Sequence, residues 1–277
     1  MKRVNVKTYP IIGEEPRGTN EKFWIKTENG NKLVKFNSRI YPDMDIMEAI
    51  SAQILNELGI DCVEVELGKN MDQKCCIVKS FLEDEADILQ EIDQPFRKRN
   101  ITDLNRDILM CFGQVFGIFY KLNIPEEECQ ALNRSYIRKT FGDCLIGNED
   151  GKLKNTGLIF NERNLKYRLT PSFDNGLAFH AYIYNSLQSV CHIGNQEFYT
   201  EDILKYIISN NYDDVSDIIE KFVQMDYYKI IQPYQHELEK EKQEYIIDYL
   251  NNIKLIINNL ICEKPKVKTL NDRVFHN

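Results

Sequence analysis

The chain has 277 residues, 43% of them hydrophobic and 28% charged, an ordinary globular composition that excludes disordered and fibrous proteins. Its 35 Lys+Arg against 43 Asp+Glu leave a net charge of -8, so direct contact with nucleic acid is not expected without a local basic patch. No apolar run reaches the roughly 18–20 residues that span a bilayer, and MKRVNVKTYP has no signal-peptide apolar stretch. A soluble, cytoplasmic protein without a membrane partner is expected, with delivery to another cell left open.

The first hundred residues read mostly as strands. In EKFWIKTENGNKLVKF, Phe23 to Thr27 and Lys32 to Phe36 flank Asn29-Gly30, a hairpin signal. DCVEVEL and KCCIVKSF give two more strands. Between the pairs, Met47, Ile50, Ile54 and Leu58 recur at helical spacing, and Gly59 supplies a stop. After Glu83-Asp84-Glu85 the period turns helical: Leu104, Ile108, Cys111, Val115, Ile118 and Leu122 form one stripe. A helix over 133–146 ends in the polar loop GNEDGKLKN. TGLIF and LKYRL are short strands joined at Asn161 to Asn164. The remainder is mostly helical, closing with a helix from about His236 to Cys262 and a loose tail. The eight cysteines include no C-x-x-C pair and read as reduced core thiols; adjacent Cys191 and His192 make a poor ligand pair.

The expected fold class is α+β in two lobes: a small mixed β lobe carrying one helix and a larger, mainly helical lobe. The expected divisions are 1–82, 83–265 and a tail at 266–277, with a hinge near Lys79 to Asp84.

Chemistry concentrates between Asp143 and Phe179. Asp150 lies in a loop between a helix and a strand, Asn155 follows five residues later, and Asp174 comes after the second strand. A phosphotransferase needs such a set: one carboxylate orients the acceptor hydroxyl, while an amide oxygen and a second carboxylate hold Mg²⁺ against ATP phosphates. Each feature alone is also an ordinary turn. Lys35 on the second hairpin strand and Glu48 on the next helix could pair to position the α- and β-phosphates; alone they read as solvated residues. Gly18 precedes a strand, where bare backbone can approach phosphate oxygens. No G-x-x-x-x-G-K-[ST] motif is present, which disfavours a P-loop NTPase.

Loop, strand lysine, helix glutamate, hinge, Asp-x4-Asn and distal Asp occur in kinase order. With GTNEK, LVKF, EAISAQILNELGI, DCLIGNEDGKLKNTGLIF and YRLTPSFDNGLAF, the sequence resembles the HipA-like serine/threonine kinases of toxin–antitoxin systems, including their single-domain members. The resemblance covers roughly residues 10–180. It implies a two-lobed, protein-kinase-like fold, with 1–82 the nucleotide-binding lobe and 83–265 the catalytic lobe, and an ATP- and Mg²⁺-dependent serine/threonine protein kinase with toxin-like character, a protein substrate and an antitoxin-type partner. It makes Asp150 the catalytic aspartate, Asn155 and Asp174 the metal ligands, Lys35 the phosphate lysine and Glu48 its helix partner. Gly18, Thr19, Asn20 and Lys22 fall in the phosphate-covering loop, and Lys79, Ser80, Phe81 and Leu82 in the adenine hinge. Lys154 matches a lysine that reaches the γ-phosphate.

Three departures stand out. Lys152 replaces a loop histidine. Glu14, Glu15 and Pro16 stand where some members autophosphorylate a serine, leaving Thr19 as the nearest hydroxyl. The length fits a kinase core without the extra N-terminal domain of the larger toxins. Two other readings stay open: a kinase acting on a small molecule or lipid head group, and a non-catalytic module that binds ATP or a partner.

Overall fold

The computed structural model describes residues 2–14, 20–82, 84–92, 107–184 and 186–263. The N-terminal part forms strands Val4–Asn5 (β1), Ile11–Glu14 (β2), Lys22–Thr27 (β3), Gly30–Phe36 (β4), Val65–Asn70 (β5) and Gln73–Lys79 (β6). They make one sheet in the order β1-β5-β6-β4-β3-β2. Neighbours are antiparallel except β1, which runs parallel to β5.

Successive residues of a strand point to opposite faces, so register decides where each side chain goes. Phe23, Ile25, Val34 and Phe36 share one face with Cys75 and Ile77, in a small core of their own. Lys35, between Val34 and Phe36, must take the other face. Helix Met44–Glu57 (α1) connects β4 to β5 and packs on β4, β5 and β6. Its Ile46, Ile50, Ile54 and Leu55, with Leu58 just beyond, are at most 1% exposed. Each such side chain contributes about 1.5–3 kcal/mol by leaving water.

Beyond residue 86 the chain contributes a second sheet and most of the helices. Asp87–Glu91 (β7), Gly157–Asn161 (β8) and Lys166–Leu169 (β9) form an antiparallel sheet in chain order. Ile108–Tyr120 (α2) and Glu126–Ile146 (α3) come between β7 and β8, and Val190–Ile193 (β10) pairs with Gln196–Tyr199 (β11). Thr200–Asn210 (α4), Tyr212–Gln224 (α5), Tyr227–Ile231 (α6) and Lys240–Glu263 (α7) follow. Helix α3 packs against α1, α2, α4, α5 and α7. One large core runs from α1 and the inner sheet face through α3 to Ile257 of α7.

The α+β plan is the expected one, and several details are not. The sheet has six strands rather than four, because β1 and β2 extend its two edges. Ile11 and Ile12 are adjacent and both exposed, at 63% and 49%, so β2 carries no alternating pattern to read. Strand β7 forms where a helical period was expected, and the β10–β11 hairpin was not anticipated. Helix α3 begins at Glu126 instead of 133, with Glu126, Glu127 and Glu128 in the first turn, where the helix dipole favours acidic side chains. Helix α7 starts at Lys240 rather than His236, because a short 3₁₀ turn at Gln232–Tyr234 occupies the approach. Leu104 and the tail at 266–277 lie outside the described residues. All eight cysteines are free, and only Cys262 is exposed. No helix among the described residues is long and apolar enough to cross a membrane.

Candidate active site

Lys35 comes inward from β4, with the residue only 9% exposed. Its Nζ meets Glu48 Oε2 of α1 at 3.0 Å and Asp174 Oδ1 at 2.5 Å. Strand, helix and the loop after β9 thus converge on one ammonium. Burial disfavours that charge, but the carboxylates of Glu48 and Asp174 more than offset it, holding Lys35 above the usual lysine range. The Lys35 ammonium holds the Asp174 carboxyl at about 2, against the effect of burial, and Lys22 and Lys154 add to the lowering. Lys22 is directly opposite Lys35 in the β3–β4 register, on the same face. Asp174 adopts a left-handed backbone, with φ of 63°, which is uncommon outside glycine and marks a locally constrained turn.

The loop between α3 and β8 carries the second group. Gly147 ends α3 in a left-handed conformation (φ 59°), a cap that glycine adopts without steric cost. The chain then turns sharply into Asn148, Glu149 and Asp150. Asp150 Oδ2 pairs with Lys154 Nζ at 2.8 Å. Asn155 Nδ2 donates to Asp150 O at 2.8 Å and to Oδ2 at 3.3 Å. With its amide nitrogen committed to Asp150, Asn155 has its oxygen left as a hard donor. Asp174 likewise has a carboxylate oxygen beyond the one that Lys35 holds. Each is a hard oxygen donor, one of them on an ionised carboxylate, of the kind Mg²⁺ takes while keeping most of its water shell.

Asn148 joins the two groups. Its Nδ2 donates to Asp143 Oδ1 and to Asn175 Oδ1, each at 3.0 Å, and its Oδ1 accepts from Asp150 N at 3.2 Å. Asp143 is paired in turn with Lys139 at 2.8 Å, both buried on α3. A Cβ on Gly151 would come within 2.7 Å of Asp143 Oδ2, so only bare backbone fits over this carboxylate. Glu149 Oε2 also contacts His180 Nδ1 at 2.7 Å, which ties the segment after Asp174 to the same loop. Sequence reasoning missed Asn148, Asn175 and the Lys139–Asp143 pair. The readable signal was a lysine and an aspartate four apart within the run from Tyr136 to Ile146, where a solvated face has no place.

The remaining expected site residues are distributed as follows. Gly18 and Thr19 lie outside the described residues. Asn20 Nδ2 contacts Met44 Sδ at 3.4 Å, beside the start of α1. In the segment expected to be the hinge, Lys79 Nζ pairs with Glu64 at 3.2 Å, and Ser80 N donates to Asn31 O at 3.1 Å. Leu82 N donates to Ser80 Oγ at 3.3 Å, and the Phe81 carbonyl accepts from Arg168 Nη2 at 3.0 Å. Phe81 also packs against Phe173, with ring centroids 5.2 Å apart and the planes tilted, which brings this segment to the residue before Asp174. A cavity of about 770 Å³ opens beside Phe81, Asp84, Asp87 and Arg168, but none of Lys35, Asp150, Asn155 or Asp174 lines it, so it is separate from this cluster.

A family model, described as the HipA-like C-terminal domain, matches residues 15–226, most of the chain. The chain belongs to the HipA-like C-terminal domain family. Among solved structures it is similar to the proinflammatory kinase CtkA of Helicobacter pylori, with a TM-score of 0.71 and 18% identity over 95% of this chain and 100% of that one. It is also similar to a HipA structure from the Shewanella oneidensis MR-1 toxin–antitoxin system, solved with HipB and operator DNA. That match has a TM-score of 0.58 and 13% identity over 91% of this chain and 66% of that one. At these identities the two structures establish the shared fold. No curated protein matches the sequence.

Proposed function

We propose that this HipA-like chain is an ATP- and Mg²⁺-dependent serine/threonine protein kinase. The observation that carries the reading is the convergence of Lys35, Glu48 and Asp174 on one ion-paired centre, linked through Asn175 and Asn148 to Asp150. In this reading Lys35 binds the α- and β-phosphates, and Glu48 fixes its ammonium. Asn155 and Asp174 would hold Mg²⁺, which would supply neutralisation of phosphate charge. Asp150 orients the acceptor hydroxyl and takes its proton as the oxygen attacks the γ-phosphorus; the bond from that phosphorus to the β–γ bridging oxygen breaks and ADP leaves. Lys154, now on Asp150, shifts to the γ-phosphate. Lys22 and the loop before it cover the phosphates, and the backbone of 79–82 receives the adenine. Catalysis is then mainly positioning and charge compensation.

The kinship with HipA supports a protein hydroxyl as acceptor and an antitoxin-type partner. The net charge of -8 gives no support to an anionic lipid head group as acceptor. Incubation with Mg²⁺ and γ-labelled ATP, with and without a cell extract, tests the reading. Wild type labels itself or a target protein, and Asp150→Asn and Asp174→Asn do not. Undiminished labelling by both variants refutes it, and ATP binding without transfer by wild type assigns the fold to a binding role.

A further inference from the structure

Behind the Lys35–Glu48 pair lies a second layer of polar contacts that reaches across the molecule. Asn37 follows Lys35 by two residues, and Asp45 precedes Glu48 by three. They bond reciprocally: Asn37 Nδ2 donates to Asp45 Oδ1 at 2.7 Å, and Asp45 N donates to Asn37 Oδ1 at 2.8 Å. Asp45 is fully buried, and its other oxygen accepts from Arg3 Nη1 at 2.5 Å. The same nitrogen donates to Gly68 O of β5 at 3.0 Å. Arg3 Nε and Nη2 grip Glu237, ahead of α7, at 2.8 and 2.5 Å. One guanidinium therefore joins the sheet, α1 and the helical part of the chain. Its planar fork fixes all three directions at once, which a lysine could not do.

Other contacts fasten both ends of α1. Lys242 of α7 pairs with Asp43 at 3.1 Å, just before the helix. At the far end, Lys221 Nζ donates to Leu58 O at 3.4 Å and Arg138 Nη2 to Gly59 O at 3.2 Å. Cations at these carbonyls also suit the helix dipole. These contacts tie α1 to the helical part as well as to the sheet on which it packs.

We propose that Arg3 is a positioning residue for the phosphate-binding pair. Through Asp45 and Glu237 it sets α1 at the angle that places Glu48 on Lys35, with no modification of the chain required. The proposal rests on reading Lys35 and Glu48 as that pair.

The test is a double-variant cycle read by chemical labelling of Lys35 with acetic anhydride and mass spectrometry, which needs neither nucleotide nor acceptor. Arg3→Ala is expected to raise the Lys35 labelling rate about tenfold in the wild-type background and less than twofold in a Glu48→Gln background, because coupled residues are not additive. Phosphate transfer falls by about tenfold in the same single variant. Should Arg3→Ala fail to fold, Glu237→Gln weakens the arm to the helical part, together with the 3.3 Å contact from Lys74 to the same carboxylate, leaves the Asp45 arm in place, and should give the same pattern at about threefold. Unchanged Lys35 labelling in a folded variant overturns the proposal, and so does an equal rise with and without Glu48, which is the mark of general loosening. If wild type transfers no phosphate while the labelling pattern holds, the kinase reading fails and the positioning role stands.

Discussion

Lys35→Met keeps the aliphatic stem and removes the ammonium that Glu48 and Asp174 share. The consequences differ for the two carboxylates. Asp174 has 28% of its side chain exposed and can regain hydration, whereas the Glu48 side chain is 1% exposed. Glu48 Oε1 already lacks a hydrogen-bond partner, so the whole carboxylate loses its compensation. Removing one partner of a buried pair costs about 3–5 kcal/mol, and the lower end applies here because one of the two carboxylates can reach water. At about 2 °C per kcal/mol for a chain of this size, the midpoint of thermal unfolding should fall by roughly 6 °C. Adding Glu48→Gln removes the stranded charge and should restore stability to within about 1 kcal/mol of wild type. Circular dichroism melts of wild type, both single variants and the double variant at pH 7 measure this. A Lys35→Met protein as stable as wild type, or a double variant no better than Lys35→Met alone, refutes the placement of Glu48 as a buried, lysine-compensated charge.

Three further outcomes follow from the same contacts. The Asp174 carboxyl is lowered from 3.8 to about 2, so its stabilisation is complete above pH 4 and lost as pH falls through 2. That group alone contributes about 2 kcal/mol, so Asp174→Asn should flatten the acid limb of a stability-against-pH curve by that amount. Gly151→Ala puts a methyl group 2.7 Å from Asp143 Oδ2 and should cost about 1–3 kcal/mol in urea unfolding, while displacing Asp150 enough to reduce phosphate transfer. Asn148→Ala removes the side-chain partner of Asp143 Oδ1 and of Asp150 N, and leaves Asn175 Oδ1 with Ser172 Oγ alone. Its expected cost is about 2–3 kcal/mol, with transfer reduced more than nucleotide affinity, a contrast that titration and initial rates measured together will show.

Local pattern made the inner part of the fold legible. Strands β3 and β4 announce themselves by alternation around Asn29-Gly30, and α1 by its stripe from Met47 to Leu58, so Lys35 and Glu48 could be placed on elements that face each other. The turn after α3 likewise put Asp150 and Asn155 in one loop. What escaped was set by distance along the chain. Strand β1 is two residues long and pairs with β5 more than sixty positions away, as Val4↔Gly68 shows. Strand β7 finds its partner β8 only far along the chain, as Glu91↔Gly157 shows. The β10–β11 hairpin did have a local signal in Gly194-Asn195, between runs too short to stand out. Arg3 meets Asp45 and Glu237 at sequence separations of 42 and 234, and nothing near Arg3 in the sequence points to either. The Asn148 network was hidden for another reason: a short polar loop looks like solvated chain until its amide groups are seen to bridge two loops.

The central claim is that Asp150 acts on the acceptor and not on the nucleotide. The most direct measurement sets Mg²⁺-dependent ATP affinity and γ-phosphate transfer side by side in wild type and Asp150→Asn. The predicted result is affinity within about threefold of wild type, with transfer reduced at least a hundredfold. Equal transfer by the two proteins, or loss of ATP binding in the variant, would contradict the account.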